Sequence, residues 1–305
     1  MAISFGSDPE FMLKNHGKIK SAIGIIQGDP ENRVTLQGHQ FYADNVMAEC
    51  AIKPARSKKK AIENFRECLQ IYAKMAHPYR LEPKASHVYP DSELRHPMSR
   101  TVGCDPDYCA YEMKMKPAPK EAIQHSRFRS CGGHIHIGHP ILINGDCESV
   151  LAVYMLDLIL GVSSLWLDKD ESSAARRGLY GQAGRHRPKD YGIEYRSLGN
   201  FWLKSPQLVA LVFDLSKFVI EMLVNKEAFS FWSFDEEAYF ESKKAWTCNL
   251  YDVKKLRTGI DTGNKKLVES HYKIVQSLLP PKLASDLESA VEAPEQDFYE
   301  AWGIA

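Results

Sequence analysis

The stretch Cys131-Gly132-Gly133-His134-Ile135-His136-Ile137-Gly138 constrains the fold more than any other in the chain. It reads as a strand entered through a glycine pair. Side chains alternate along a strand, so Ile135 and Ile137 take one face and His134 and His136 the other. Two imidazoles about 7 Å apart on one face can share a polar site. The glycines remove side-chain bulk where something must approach the backbone. The plain alternative is an edge strand with two solvated histidines, and other stretches weigh against it.

Four other segments carry comparable chemistry. In Phe5-Gly6-Ser7-Asp8-Pro9-Glu10-Phe11, two carboxylates at i and i+2 of an extended segment face the same way, and Pro9 favours an extended Asp8. Like charges held this close are costly unless a cation neutralises them. In Asp44-Asn45-Val46-Met47-Ala48-Glu49, a regular strand would point the two acids oppositely, whereas a turn at Asp44-Asn45 brings both to one pocket. Glu49 lies among apolar neighbours and needs a partner if buried. In Gly192-Ile193-Glu194-Tyr195-Arg196, Glu194 and Arg196 share one face, an acid for a cation beside an arginine for a phosphate. Arg176 to Lys189 is a basic loop with Arg176, Arg177, Arg185, Arg187 and Lys189 interleaved with glycines. Its spacing fits neither a Walker A nor a dinucleotide fingerprint. The ordinary readings are a surface turn, a hairpin acid, an intra-strand ion pair and a mobile loop. Cys104-Asp105-Pro106-Asp107 partly echoes the first acidic motif, and the simpler reading is a loop.

Around these motifs the periodicity predicts strands over residues 1–55 and a helix over 57–77 with Ser57 as N-cap. It predicts a proline-rich connection over 78–127 with short strands near 80–89 and 110–115, and a histidine strand over 127–137. Apolar helices follow over 147–167 and 206–225, the second capped by Ser205 with Pro206 at its first position. From 235 to 302 the pattern reads as helices throughout. Val150 to Leu167 is close to the length of a membrane span but carries Asp157, so a buried core helix is expected.

Composition narrows the function classes. The chain has 305 residues, 44% hydrophobic and 26% charged, with a formal net charge of zero. That is enough for a sizeable core and gives no broad electrostatic grip on nucleic acid or an anionic membrane. Seven cysteines show no CxxC pair, and no basic leader precedes the first strand, which together suggest a reducing cytoplasm. We read one domain over 1–305, sheet-bearing to about 202 and helical from about 203.

Taken in order, the acidic pairs, the HxH strand, the basic loop and the Glu-x-Arg strand resemble the glutamine synthetase-like carboxylate-amine ligases. Most closely they resemble the phage and bacterial COOH.NH2 ligase type 2 amidoligases. The resemblance covers about residues 3–202; Asp8 stands where glutamine synthetase itself has glutamate, and no β-grasp domain precedes the first strand. It implies an α+β fold with a curved antiparallel sheet funnel, flanked by helices. It also implies ATP at one end, a carboxylate substrate at the other, and Mg2+ or Mn2+ between them. Asp8, Glu10, Asp44, Glu49, His134 and Glu194 would then hold metal, and His136 would touch phosphate or substrate. Arg196 would bind the transferred phosphoryl group, and Arg176, Arg177, Arg185, Arg187 and Lys189 would be phosphate contacts. Arg196, Glu49 and Arg187 are the candidates for chemistry.

The expected reaction is ATP-dependent ligation of a small-molecule or peptide carboxylate to an amine, giving an amide or isopeptide bond through an acyl phosphate. Hard divalent ions and arginines suit that charge. The alternatives are a guanidino-kinase-type phosphotransferase, a metal-dependent hydrolase, and a non-catalytic phage-associated protein. No membrane partner is expected, self-association stays open, and a phage-encoded chain would work in the bacterial host's cytoplasm.

Overall fold

The computed structural model describes residues 3–101, 106–143, 146–240 and 245–304. Its first strands are β1 (Ser4–Ser7), β2 (Glu10–Asn15), β3 (Lys18–Lys20), β4 (Val34–Leu36), β5 (His39–Asp44) and β6 (Met47–Ala55). Then come β7 (Arg80–Glu82), β8 (Ser86–Val88), β9 (Asp107–Cys109), β10 (Lys114–Lys116), β11 (Phe128–Ser130) and β12 (Ile135–Gly138). The last are β13 (Arg185–Lys189), β14 (Gly192–Tyr195), β15 (Trp232–Phe234) and β16 (Trp246–Cys248). Twelve of these form one sheet in the order β10-β9-β13-β14-β12-β1-β6-β2-β3, with β5 joined to β6, β4 to β5, and β7 to β2. The ladders between its strands are antiparallel. The fold is a mixed α+β architecture with a large antiparallel sheet.

Alternation divides the sheet into two faces. Phe5, Phe41, Ala43, Ala48, Cys50, Ile135, Ile137, Ile193 and Tyr195 are buried on the helix side. Their neighbours Tyr42, Asp44, Glu49, His136 and Glu194 line a cavity on the other side. Behind the apolar face lie the helices Lys58–Ala76 and Pro206–Val224. Ser57 Oγ accepts from Lys60 N and Ser205 Oγ accepts from Leu208 N, so both expected caps are present. Phe5 contacts Phe65, Trp202 and Phe213 with ring centroids 6.5, 6.0 and 5.4 Å apart, fastening β1 to both helices. Burying each such ring contributes about 2 kcal/mol.

Three expectations need correction. The histidine strand is not continuous from 127. The backbone of Cys131–His134 leaves the ladder because Cys131 N donates to Ala85 O (2.8 Å) and Gly133 N to Leu198 O (3.3 Å). His134 therefore precedes β12. Nor is the segment from 235 helical throughout. β16 interrupts it at Trp246–Cys248 and pairs with β15, which lies just before the segment; Trp232 stacks on Tyr154 at 4.4 Å and Trp246 is edge-on to the same ring at 6.0 Å. Finally, the basic segment is not one loop: Ser173–Arg177 is helical and Arg185–Lys189 is β13.

The apolar segment near 150 is an α-helix to Leu156, a π-helical turn over Asp157–Gly161, and an α-helix over Val162–Leu167. Cys147–Leu167 is long and apolar enough to cross a membrane, but 89% of its most apolar window is buried inside the fold. The tail packs on the core as well: Trp302 stacks on Phe65 at 6.4 Å, and its Nε1 donates to Leu203 O.

Candidate active site

The polar face of the sheet walls a cavity of about 480 Å³. Around it stand Asp8, Glu10, Asp44, Glu49, His134, His136, Arg187, Lys189, Glu194 and Arg196. The break between β1 and β2 at Asp8-Pro9 separates the two acids expected to act as a pair. Asp8 turns toward β12, while Glu10 lies directly opposite Glu49 in the β2–β6 register. The turn at Asn45, whose φ is +56°, lets Asp44 join that second group. Asn45 is held there by donating to Ser99 O (2.9 Å) and Thr101 O (2.8 Å).

Two groups of ligand atoms result, each within 4.8 Å of one another: Asp8, His136 and Glu194, and Glu10, Asp44 and Glu49. His134 adjoins the first, its Nδ1 lying 3.3 Å from Asp8 Oδ1 and 3.7 Å from Glu194 Oε1. His136, expected at phosphate or substrate, is the imidazole grouped with the acids; its Nε2 is 3.1 Å from Asp8 Oδ1. Asp8 Oδ1, His134 Nδ1 and His136 Nε2 are buried, yet none has a partner in hydrogen-bonding geometry among the described residues. A cation would satisfy all three, so these residues fit a divalent ion. The all-carboxylate group suits Mg2+ or Mn2+. The glycine pair does make room: a Cβ on Gly132 would collide with His134 Nε2, and one on Gly133 with Gly199 O and Trp202 Nε1.

Each acid is tuned by its surroundings. Burial works to raise the Asp8 acid, but His136 and His134 outweigh it and hold it well below the usual carboxylate range. Burial pushes Glu10 up to about 7, against the Gly132 amide, which donates to its Oε2 at 2.6 Å. Burial, then Glu10, Asp8 and Asp44, raise Glu49 well above its ordinary value, and its partner is the Tyr42 hydroxyl, which donates at 2.5 Å. Burial and Asp8 oppose ionisation of Glu194, yet Arg196, His134 and Arg187 draw it down to about 2.

Cations surround Glu194. Arg196 pairs with it directly, Arg187 Nη1 lies 3.3 Å away and Lys189 Nζ 3.1 Å away. Arg185, Arg187 and Lys189 share one face of β13, but Asp107 captures Arg185 at 2.5 Å, and Arg185 lines neither this cavity nor the next. Arg177 is also outside: it ends a buried helical turn and donates to Ser164 Oγ at 3.0 Å. Arg176 lines a smaller cavity of about 50 Å³ and donates to Cys131 O (2.7 Å) and Ser197 O (3.3 Å). That cavity shares Glu10, Asp44, His134 and Arg196 with the larger one.

Sequence reasoning missed Tyr42 and Tyr191, and it read Asp107 as part of a loop, whereas Asp107 opens β9. Tyr42 stands two residues before Asp44 on the same strand face, a signal that alternation offered. Asp107 holds both Arg185 and, at 3.5 Å, Arg196 Nε; Cys104 and Asp105 of its motif lie outside the described residues. Tyr191 Oη meets His136 Nδ1 at the mouth of the cavity.

No curated protein matches the sequence significantly. A family model, Phage phiEco32-like COOH.NH2 ligase-type 2, matches residues 121–304, more than half of the chain. The match takes in the histidine strand, the Glu-x-Arg strand and the helical tail, where no motif was expected, and begins after the N-terminal acidic pairs. The two histidines, the Glu194–Arg196 pair and the tail that packs behind them thus have a common origin: the chain belongs to the phage phiEco32-like COOH.NH2 ligase-type 2 family.

Proposed function

We propose that this chain joins a carboxylate to an amine at the expense of ATP, through an acyl phosphate, in a site with a divalent ion bound to each acidic group. The observation that carries the reading is the convergence of two acidic groups and three cationic side chains, Arg187, Lys189 and Arg196, on one cavity. A carboxylate is a poor acyl donor because its oxygen leaves poorly, and phosphorylation supplies a better leaving group. Bound Mg2+ or Mn2+ would offset the charge of phosphates and carboxylates.

The chain's own residues do the rest. Arg187, Lys189 and Arg196 bind the triphosphate and follow the moving phosphoryl group, as arginines do in phosphoryl transfer. Glu194, which pairs with all three, keeps them together until phosphate takes its place. The attacking amine must lose a proton, and a carboxylate of the acidic wall is the group that would receive it. The two cavities on either side of Glu10, Asp44, His134 and Arg196 support a funnel with reactants entering from opposite sides. ADP release over a panel of acids and amines, with mass spectrometry of the products, tests the proposal. Turnover that needs both an acid and an amine and yields their condensation product is expected. Amine-independent phosphorylation would make the chain a kinase, and turnover without nucleotide a hydrolase.

A further inference from the structure

The π-helical turn in the central apolar helix begins with a fully buried acid, Asp157. Such turns are rare and concentrate at functional sites, and a carboxylate buried there is costly unless hydrogen-bonded. Its partners come from the two strands that carry the cationic wall. Asp157 Oδ2 accepts from Gly184 N at 2.6 Å, and Oδ1 accepts from Tyr195 Oη at 2.7 Å and Ser197 Oγ at 3.3 Å. Gly184 immediately precedes Arg185 at the start of β13, and Tyr195 lies between Glu194 and Arg196. A second acid works beside it: Asp261, on the helix Val253–Thr262, accepts from Ala183 N at 2.7 Å. Two consecutive amides of the glycine loop are thus tied to two acids from two helices. Across the strands, Arg196 N donates to Arg185 O at 3.0 Å, so the anchored ends also hold each other.

We propose that Asp157, assisted by Asp261, is a positioning residue that sets how far Arg187, Lys189, Glu194 and Arg196 reach into the cavity. None of its contacts is with the cavity itself; it acts from behind the sheet, through the backbone of Gly184 and the hydroxyl of Tyr195. What the positioned cations bind rests on the function proposed above, whereas the clamp does not.

Asp157→Asn keeps the shape but replaces one acceptor oxygen by a donor, so Gly184 N–H or the Tyr195 hydroxyl loses its partner. Hydrogen exchange of residues 182–189 is expected to speed by about tenfold or more, while residues 39–55, which carry Asp44 and Glu49, exchange as in the parent. Affinity for Mg2+-ATP, measured by calorimetry, is expected to fall by about tenfold, because a small displacement of clamping cations is costly. Unchanged exchange in 182–189, or equal acceleration in both segments, would overturn the proposal, the second by showing general loosening. If the parent chain binds no Mg2+-ATP, the nucleotide reading falls and the exchange comparison still decides the clamp. Should Asp157→Asn fail to fold, Tyr195→Phe removes one donor only and is expected to give the same local acceleration.

Discussion

Glu10 and Glu49 stand directly opposite each other in the β2–β6 pairing, although like charges at such positions destabilise a sheet. Asp44 adds a third carboxylate within 4.8 Å. Such crowding of carboxylates costs stability unless a cation offsets the charge. Glu49→Gln keeps an acceptor for the Tyr42 hydroxyl and removes one of the repelling charges. In EDTA this variant is expected to be more stable than the parent by about 1 kcal/mol. Mn2+ at a hundred times its Kd adds about 2.7 kcal/mol to a chain with one such site, and the variant loses much of that gain. Thermal melts of both proteins with and without Mn2+ check this. A less stable variant that gains as much from Mn2+ as the parent would contradict it.

Tyr191 is 41% exposed, so its hydroxyl adds little to the core, yet it fixes the His136 ring by its contact with Nδ1. Groups that orient a metal-binding imidazole commonly change metal affinity by about 10- to 100-fold when removed. Tyr191→Phe is therefore expected to weaken Mn2+ binding by at least about tenfold with an unchanged melting temperature in EDTA. Titration followed by Mn2+ electron paramagnetic resonance reads the first, and calorimetry the second. Equal affinity in the two proteins would mean that His136 needs no orienting partner.

The alternation of residues along strands made much of this site legible in the sequence. His136 with Ile135 and Ile137, and Glu194 with Ile193 and Tyr195, lie on the faces that a period of two assigns. Asp44 and Glu49 could be united only by a turn at Asn45, and that turn is present. What alternation cannot supply is the path of the chain between strands. The Asp8-Pro9 break sends two neighbouring acids to different groups, because β1 pairs with the far end of β6 at Ile52 and Ala55 and β2 with its start at Ala48 and Glu49. The fate of Arg177 and Arg185 was illegible for the same reason: composition marks them as cations, but Ser164 and Asp107, which intercept them, are distant in sequence. β15 and β16 escaped notice because three-residue strands are too short to show a period.

Arg196 is buried and touches Glu194 and Asp107 at once. A planar guanidinium can face two acids and still offer an edge to phosphate; an ammonium is a point charge and cannot. Arg196→Lys keeps the charge that Glu194 requires, so the fold is expected to survive. Product formation is expected to fall by about a hundredfold, the scale for losing one donor aimed at developing charge. Circular dichroism and the product assay together read this out. A variant with parental turnover would remove Arg196 from phosphoryl transfer and leave it as a structural bridge between β9 and β14.

Asp157 ties stability to pH. Burial raises its acid to about 7, against the pull of Tyr195, Tyr111 and the Gly184 amide, while Asp261 adds repulsion. In the unfolded chain it titrates near 3.9. The folded form binds the proton more tightly, so the associated stability is fully present below about pH 4 and is lost as pH rises through about 7. Each tenfold change in proton affinity is worth about 1.4 kcal/mol, which makes the whole effect a few kcal/mol at most. Asp157→Asn is neutral at every pH and escapes this loss, though it forfeits one acceptor throughout. Urea unfolding in EDTA is therefore expected to find the variant clearly less stable than the parent at pH 5, with the gap narrowing or reversing by pH 8. A gap that stays constant from pH 5 to pH 8 would mean that Asp157 keeps one protonation state in the fold across that range, and that Tyr195 and Gly184 hold a carboxylate already ionised.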